Sequence, residues 1–114
     1  MAEKILVVDD EPLILTAVER ALSKVGYSVS KAQSIKELDE VLRDAPFDLL
    51  ITDVFMQEES VDGIIERVKK TSPSLKVLRM SGSLRADTDD DFIEKPFSIE
   101  ALRRRVKDIL YEPS

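Results

Sequence analysis

Apolar residues along the chain fall into two kinds of pattern. Residues 5–8 and 49–51 are continuous apolar runs, which are typical of strands buried on both faces of a parallel sheet. Shorter strand patterns occupy residues 27–31, 75–80 and 92–93. Between these strands, apolar residues recur every three or four positions, which predicts amphipathic helices. The alternation of strands with helices predicts an α/β domain.

The predicted helices have clear boundary signals. Pro12 suits the first turn of a helix, and Gly26 follows its end. Ser34 and Glu37 have the spacing of a capping box. The predicted apolar stripes are Leu13, Ile14, Ala17, Val18, Ala21, Leu22 and Val25 in the first helix, Ile35, Leu38, Val41 and Leu42 in the second, Val61, Ile64, Ile65 and Val68 in the third, and Ile99, Leu102, Val106 and Ile109 in the last. Because crossovers between parallel strands are almost always right-handed, we expect a flavodoxin-like, doubly wound, five-stranded parallel sheet of order 2-1-3-4-5, forming one domain over residues 1–114.

The segment between the fourth and fifth strands is too short for this pattern. Ten residues separate Ser81 from Phe92, and Asp87 and residues 89–91 among them are acidic. Such a stretch has room for one or two helical turns at most. We therefore expect the fourth helix to be short or replaced by a loop.

The residue composition restricts the possible chemistry. The chain contains no His and no Cys, so it has no Ser-His-Asp triad, no Cys-His pair and no usual zinc site. A metal would have to be held by oxygen ligands, as suits Mg²⁺, Mn²⁺ or Ca²⁺.

Charge and hydropathy also bear on partners. The formal net charge is −6, which is a poor match for the phosphate backbone of nucleic acid, so we expect no direct nucleic-acid partner. The basic cluster of Arg103, Arg104, Arg105 and Lys107 is interpreted as the solvated face of a helix. With no apolar run long enough to span a bilayer and no secretory signal, we expect a cytoplasmic protein without a membrane partner.

Polar residues follow the ends of four predicted strands. Asp9 and Asp10 follow the first strand, Asp53 ends the third, Ser81 ends the fourth and Lys95 follows the fifth. In open α/β sheets, ligands bind at these carboxyl ends, where the strand order reverses. Three carboxylates in one pocket favour a bound cation, and Mg²⁺ accepts a few carboxylates together with waters and a phosphate. Since aspartate can form aspartyl phosphates, the set predicts phosphoryl transfer to Asp53, with Lys95 and Ser81 stabilising the transferred group.

Each of these features also has a structural explanation when taken alone. The acids before Pro12 could cap a helix, Asp53 and Ser81 could occupy ordinary turns, and Lys95 could be an exposed cation. Their joint occurrence at the ends of four strands favours the functional interpretation.

The motifs that carry these residues resemble the receiver domains of two-component response regulators, which have a CheY-like fold. The matching segments are ILVVDDEP at residues 5–12, DLLITDVFM at residues 48–56, MSG at residues 80–82 and EKPF at residues 94–97. The resemblance covers the whole chain and implies a phosphorylation-dependent signalling domain, not a classical enzyme. Such a domain catalyses only its own phosphoryl transfer and slow dephosphorylation.

The resemblance also implies a role for each residue. Asp53 would accept phosphate from a phosphohistidine on a sensor histidine kinase or phosphotransfer protein. Asp9, Asp10 and Asp53, with the main-chain carbonyl of Phe55, would bind Mg²⁺. Lys95 would contact the phosphoryl group, and Ser81 would move toward it on activation. Phe92 would report the switch by turning inward, although a plain core Phe is an equally good interpretation.

Some features depart from the family pattern. Gln57 replaces the usual Pro, Gly63 comes about two residues late, and the usual output surface would lack its fourth helix. We hypothesise that residues 83–91 are mobile without phosphate and become ordered on phosphorylation. The expected output is a downstream protein target, and the chain is expected to be a monomer or weak dimer. Met1 suggests a natural start, and either a stand-alone receiver or the front of a longer protein is possible.

Two rival interpretations follow from the resemblance. A pseudo-receiver would keep the fold and bind a partner without phosphorylation, but such domains usually lose some of the site residues, whereas all are present here. A haloacid-dehalogenase-like phosphatase also uses Asp, Ser or Thr, and Lys. It carries its nucleophile in an Asp-x-Asp motif on the first strand, which Asp9-Asp10-Glu11 is not.

Overall fold

A computed structural model of the protein describes residues 2–54, 60–82 and 91–111. Five parallel strands form one sheet: β1 (Lys4–Val8), β2 (Ser28–Ala32), β3 (Leu49–Asp53), β4 (Lys76–Ser81) and β5 (Asp91–Glu94). Their order is β2-β1-β3-β4-β5. This confirms the predicted sheet order and the flavodoxin-like, doubly wound architecture.

Helices lie on both faces of the sheet in the described part of the chain. They are α1 (Pro12–Ser23), α2 (Ile35–Val41), α3 (Val61–Lys69) and α4 (Ile99–Tyr111), and a 3-10 turn (Leu42–Asp44) follows α2. One half of the predicted capping box is confirmed, since the Glu37 N–H donates to Ser34 Oγ at 3.2 Å. The Glu37 carboxylate accepts instead from the N–H of Gln33, the residue before the N-cap, at 2.8 Å.

Strand side chains alternate between two apolar cores. Ile5, Val7, Leu49 and Ile51 pack toward α1 and α4, whereas Leu6, Val8 and Leu50 pack toward α2 and α3. All seven side chains are fully buried. This burial on both faces explains why the sequences of β1 and β3 contain continuous runs of apolar residues.

The apolar stripe predicted for α1 is partly wrong. Leu15, which was not assigned to the stripe, is buried with Val18, Ala21 and Leu22. Leu13 is 83% exposed, and Ala17, one helical turn later, is exposed as well. At 100° per residue these two residues point away from Leu15 and Val18. Val25 lies beyond the end of α1 and is half-exposed, and Ile99 at the start of α4 is also half-exposed.

The fourth crossover falls on residues 83–90, which lie outside the described residues, so the predicted short helix or loop stays a prediction. The last residue of the segment hypothesised to be mobile lies within the described residues, and the mobility itself stays a prediction. Asp91 is the first residue of β5, where it pairs with Leu78, and its carboxylate accepts a hydrogen bond from Arg105 at 3.0 Å.

Strand register places the functional edge of the sheet. Val8 lies opposite Thr52, Asp53 opposite Met80, and Ser81 opposite Glu94. The residues that follow β1 and β5 therefore emerge at the same edge as the ends of β3 and β4. Among the helices that the structure describes, none has the length and apolar character needed to cross a bilayer.

Candidate functional site

Acidic side chains and one lysine meet at the carboxyl edge of the sheet. Asp9 follows β1 and is fully buried, while Asp53 ends β3 and is 6% exposed. Lys95 follows β5, and its ammonium Nζ lies 2.9 Å from Asp9 Oδ2 and 3.3 Å from Asp53 Oδ2. A single cation thus bridges carboxylates from two neighbouring strands.

Main-chain hydrogen bonds fix the positions of these residues. The Asp9 N–H donates to the Ala32 carbonyl at 3.2 Å, and the Glu11 N–H donates to Asp9 Oδ1 at 2.9 Å. The Lys95 N–H donates to the Ser81 carbonyl at 2.7 Å. Because one Asp9 oxygen is held by the backbone and the other by Lys95, the carboxylate has a defined orientation.

The electrostatics of the pocket reflect its burial. Burial raises the pKa of Asp9, and this effect outweighs the opposing hydrogen bonds from Lys95 and from the Glu11 main chain. For Lys95, burial lowers the pKa, but hydrogen bonding and attraction to Asp9 and Asp53 together raise it above its ordinary value. The ammonium is therefore held in its charged form by the carboxylates around it.

Four acids are close enough to share a cation. Ligand oxygens of Asp9, Asp10, Glu11 and Asp53 all lie within 4.8 Å of one another. Carboxylate oxygens are the donors that Mg²⁺ prefers, and Mg²⁺ needs only a few of them when waters and phosphate complete its shell. The residues present therefore fit a Mg²⁺ site.

Glu11 is the member of this group that the sequence analysis missed. It was interpreted as one of the acids that begin α1, whereas its carboxylate also lies 3.7 Å from Lys95 Nζ. The run of three acids after β1 was the available signal, because all three leave the strand at the same edge.

The other predicted residues have different outcomes. Ser81 lies at the carboxyl edge as predicted, and it is buried. Phe55, the predicted carbonyl ligand, and Gln57 lie outside the described residues. Phe92 is half-buried in β5. Gly63 lies inside α3, where its N–H donates to Ser60 Oγ at 3.0 Å, so it belongs to the helix start and not to a loop.

Comparison with protein-family models identifies the chain. The model for the response regulator receiver domain matches residues 5–107. The chain belongs to this family. It is therefore a receiver domain of the two-component response regulators, with a CheY-like fold and a role in signal transduction. A receiver domain is a signalling domain and not a classical enzyme.

Individual relatives agree with this assignment. The receiver domain is 32% identical to the sensor kinase CckA of Brucella abortus over 93% of the chain, and 33% identical to the DNA-binding transcriptional regulator NtrC of Rhizobium meliloti over 96%. It spans only 12% and 24% of those two proteins. A response regulator structure from Thermotoga maritima is 33% identical, with a TM-score of 0.81 over 96% of this chain and 98% of that one.

Proposed function

We propose that this receiver domain accepts a phosphoryl group on Asp53 from a phosphohistidine of a sensor histidine kinase or phosphotransfer protein. The observation that carries the proposal is the position of the Asp53 carboxylate. It ends the central strand, lies at the edge of a pocket rich in acids, and has the Lys95 ammonium 3.3 Å from one of its oxygens. The absence of His from the chain is consistent with a donor histidine on another protein.

The proposed reaction is a direct displacement at phosphorus. An Asp53 carboxylate oxygen attacks, the bond between phosphorus and the donor imidazole nitrogen breaks, and the bond to Asp53 forms. The imidazole nitrogen takes the electron pair of the broken bond, and the ring leaves as neutral imidazole because its other nitrogen carries a proton. Negative charge is spread over the three equatorial oxygens during the transfer, and a preorganised cation lowers the barrier by stabilising it. Lys95 is that cation, because Asp9 and the backbone of Ser81 hold it in place.

Mg²⁺ is the cofactor of this proposal. Asp9, Asp10 and Asp53 would hold it, together with the Phe55 carbonyl. When bound, it would supply positive charge to the phosphoryl oxygens and offset the repulsion between an incoming anionic donor and the acidic pocket. Asp9 and Asp53 would then release part of their hold on Lys95, which becomes available to the phosphoryl group.

Output is proposed to run through the edge that contains Ser81. Ser81 is buried at the end of β4, and its main-chain carbonyl accepts a hydrogen bond from the Lys95 N–H at the end of the next strand, so that a movement of Ser81 reaches Lys95. A shift of its hydroxyl toward the phosphoryl group would therefore disturb both β4 and β5. Phe92 in β5 is the aromatic side chain that would turn with them. The readout would be a downstream protein partner in the cytoplasm.

The experiment is phosphorylation by a small donor. With acetyl phosphate and Mg²⁺, intact mass spectrometry is expected to detect one added phosphoryl group, and Asp53→Asn is expected to lose it. Asp108→Asn, an exposed change on α4, serves as the matched control and is expected to be phosphorylated like the wild type. If the wild-type chain gains no phosphate from acetyl phosphate or from kinase donors, the pseudo-receiver interpretation replaces this one.

A further inference from the structure

Both main-chain groups of Glu11 make hydrogen bonds, but its side chain makes no hydrogen bond that caps α1, the helix that it precedes. Glu11 is the N-cap residue of α1 with extended dihedral angles, and its carboxylate makes no capping hydrogen bond. Its carbonyl accepts hydrogen bonds from Ile14 and Leu15, and its N–H donates to Asp9. Glutamate is not among the preferred N-cap residues, so capping does not explain this side chain, and the helix itself favours it only through the charge of the helix dipole.

The Glu11 carboxylate lies instead at the mouth of the acidic pocket. One of its oxygens is 3.7 Å from Lys95 Nζ, and the side chain is 62% exposed, in contrast to the buried Asp9 and Asp53. Its ligand atom belongs to the group of four carboxylates within 4.8 Å of one another. Glu11 is thus the acid of this group on the solvent side of the pocket, where an ion or phosphodonor would enter.

We propose that Glu11 is a specificity-determining residue of this site, which strengthens the binding of a divalent cation and disfavours small dianionic phosphodonors. The inference rests on the proposed function of Asp53 and extends it to the choice of what enters the pocket. Both effects follow from a single negative charge at the mouth, which attracts a dication and repels a dianion. They therefore have opposite signs when that charge is removed.

The expected size of the effect follows from Coulomb's law. A unit charge about 5 Å from a dication in water changes the affinity by roughly fifteenfold without salt, and screening at physiological ionic strength reduces this to roughly three- to tenfold. The influence on a mobile donor is smaller, about two- to fivefold, because the donor spends most of its approach in screened solution. Both effects are expected to shrink as the salt concentration rises.

Glu11→Gln tests the proposal, because it removes the charge and keeps the size of an exposed side chain. Isothermal titration calorimetry of the unphosphorylated domain with MgCl₂ is expected to give a Kd about three- to tenfold higher than that of the wild type. At saturating Mg²⁺, the rate of phosphorylation by acetyl phosphate, followed by intact mass, is expected to rise about two- to fivefold. Glu40→Gln on α2 changes the net charge equally at an exposed position outside the cluster and is expected to change neither value.

Glu11→Asp separates charge from length. Because Glu11→Asp keeps the charge, its log Kd for Mg²⁺ is expected to lie at least as close to the wild-type value as to that of Glu11→Gln. Wild-type values for Glu11→Gln, or equal shifts in Glu11→Gln and Glu40→Gln, would overturn the proposal. A wild-type chain that binds Mg²⁺ but is never phosphorylated would contradict the proposed function of Asp53, whereas the Mg²⁺ titrations would still decide the role of Glu11.

Discussion

Two ion pairs in this protein have the same length and different surroundings. Lys31 Nζ lies 2.9 Å from Glu19 Oε1, with the two side chains 38% and 34% exposed. Lys95 Nζ also lies 2.9 Å from Asp9 Oδ2, but these side chains are 16% and 0% exposed. Water screens the first pair, so it contributes about 0–1 kcal/mol to stability. The second pair has lost most of its hydration, which costs several kcal/mol per ion.

The difference shows that distance alone does not give the role of an ion pair. A surface pair can be removed at little cost, and a buried pair can often be replaced by apolar side chains without loss of stability. The pocket moreover contains more negative than positive charge, since Asp53 and Glu11 also lie near Lys95. The arrangement is therefore better explained by the ligands it can bind than by the stability it provides.

The largest expected effect comes from removing the buried cation. Lys95→Met removes the ammonium that bridges the buried Asp9 and Asp53 carboxylates, so the free energy of unfolding is expected to fall by about 3 kcal/mol at neutral pH in the absence of Mg²⁺. Chemical denaturation followed by circular dichroism measures the change. Since Mg²⁺ would replace the missing positive charge, added MgCl₂ is expected to stabilise this variant more than the wild type.

Lys31→Met is the matched control for Lys95→Met. It removes the cation of a pair of equal length, and the expected loss is about 0.5 kcal/mol, decreasing at high salt. Equal losses in the two variants would mean that burial does not distinguish the pairs.

A second test concerns the acids. Mg²⁺ is expected to stabilise the wild type by mass action, by about 2.7 kcal/mol at a concentration of 100 times Kd. Asp10→Asn is expected to abolish this response while leaving the fold intact, and to leave the metal-free protein as stable as the wild type or more so, because one source of repulsion is gone. Thermal unfolding with and without MgCl₂ measures both effects. An unchanged Mg²⁺ response in Asp10→Asn would place the ion elsewhere.

The smallest expected effect is on the pH dependence of stability. The pKa of Lys95 is raised above its ordinary value of 10.5, so the charged form is favoured in the folded state. Its contribution is fully present below pH 10.5 and is lost as the pH rises through the folded-state value. The pKa of Asp9 is raised above 3.8, so the folded state favours the protonated form of this carboxyl. The stability of the folded state therefore increases as the pH falls toward 3.8.

The alkaline arm of the pH dependence can be measured directly. Between pH 10 and 12 the wild type is expected to lose stability more steeply than Lys95→Met, whose side chain does not titrate. Urea denaturation across this range checks the slopes. Parallel slopes would assign the alkaline loss to other groups.

The sequence was sufficient for the sheet order and for the edge of the sheet at which the candidate residues lie, for one physical reason. Asp9, Asp53 and Lys95 each stand at the carboxyl end of a strand, and parallel strands bring their carboxyl ends together once their order is known. Glu11 was missed because an exposed acid before a helix also suits the helix dipole. Only the distance to Lys95 separates these two explanations.

The sequence did not show which face of α1 packs against the sheet. This helix has apolar residues on both faces, with Leu15 and Val18 on one and Leu13 and Ala17 on the other. Periodicity gives the spacing of a stripe but not which of two stripes meets the sheet, because that choice depends on packing against β1 and α4. The stripe predicted for α1 therefore combined residues from both faces of the helix.

The two ends of the described chain lie together, at the edge of the sheet opposite Asp53. Glu3, just before β1, and Tyr111, at the end of α4, line one cavity of about 340 Å³ with Tyr27. A tether fastened at either end would therefore pull from the far side of the sheet.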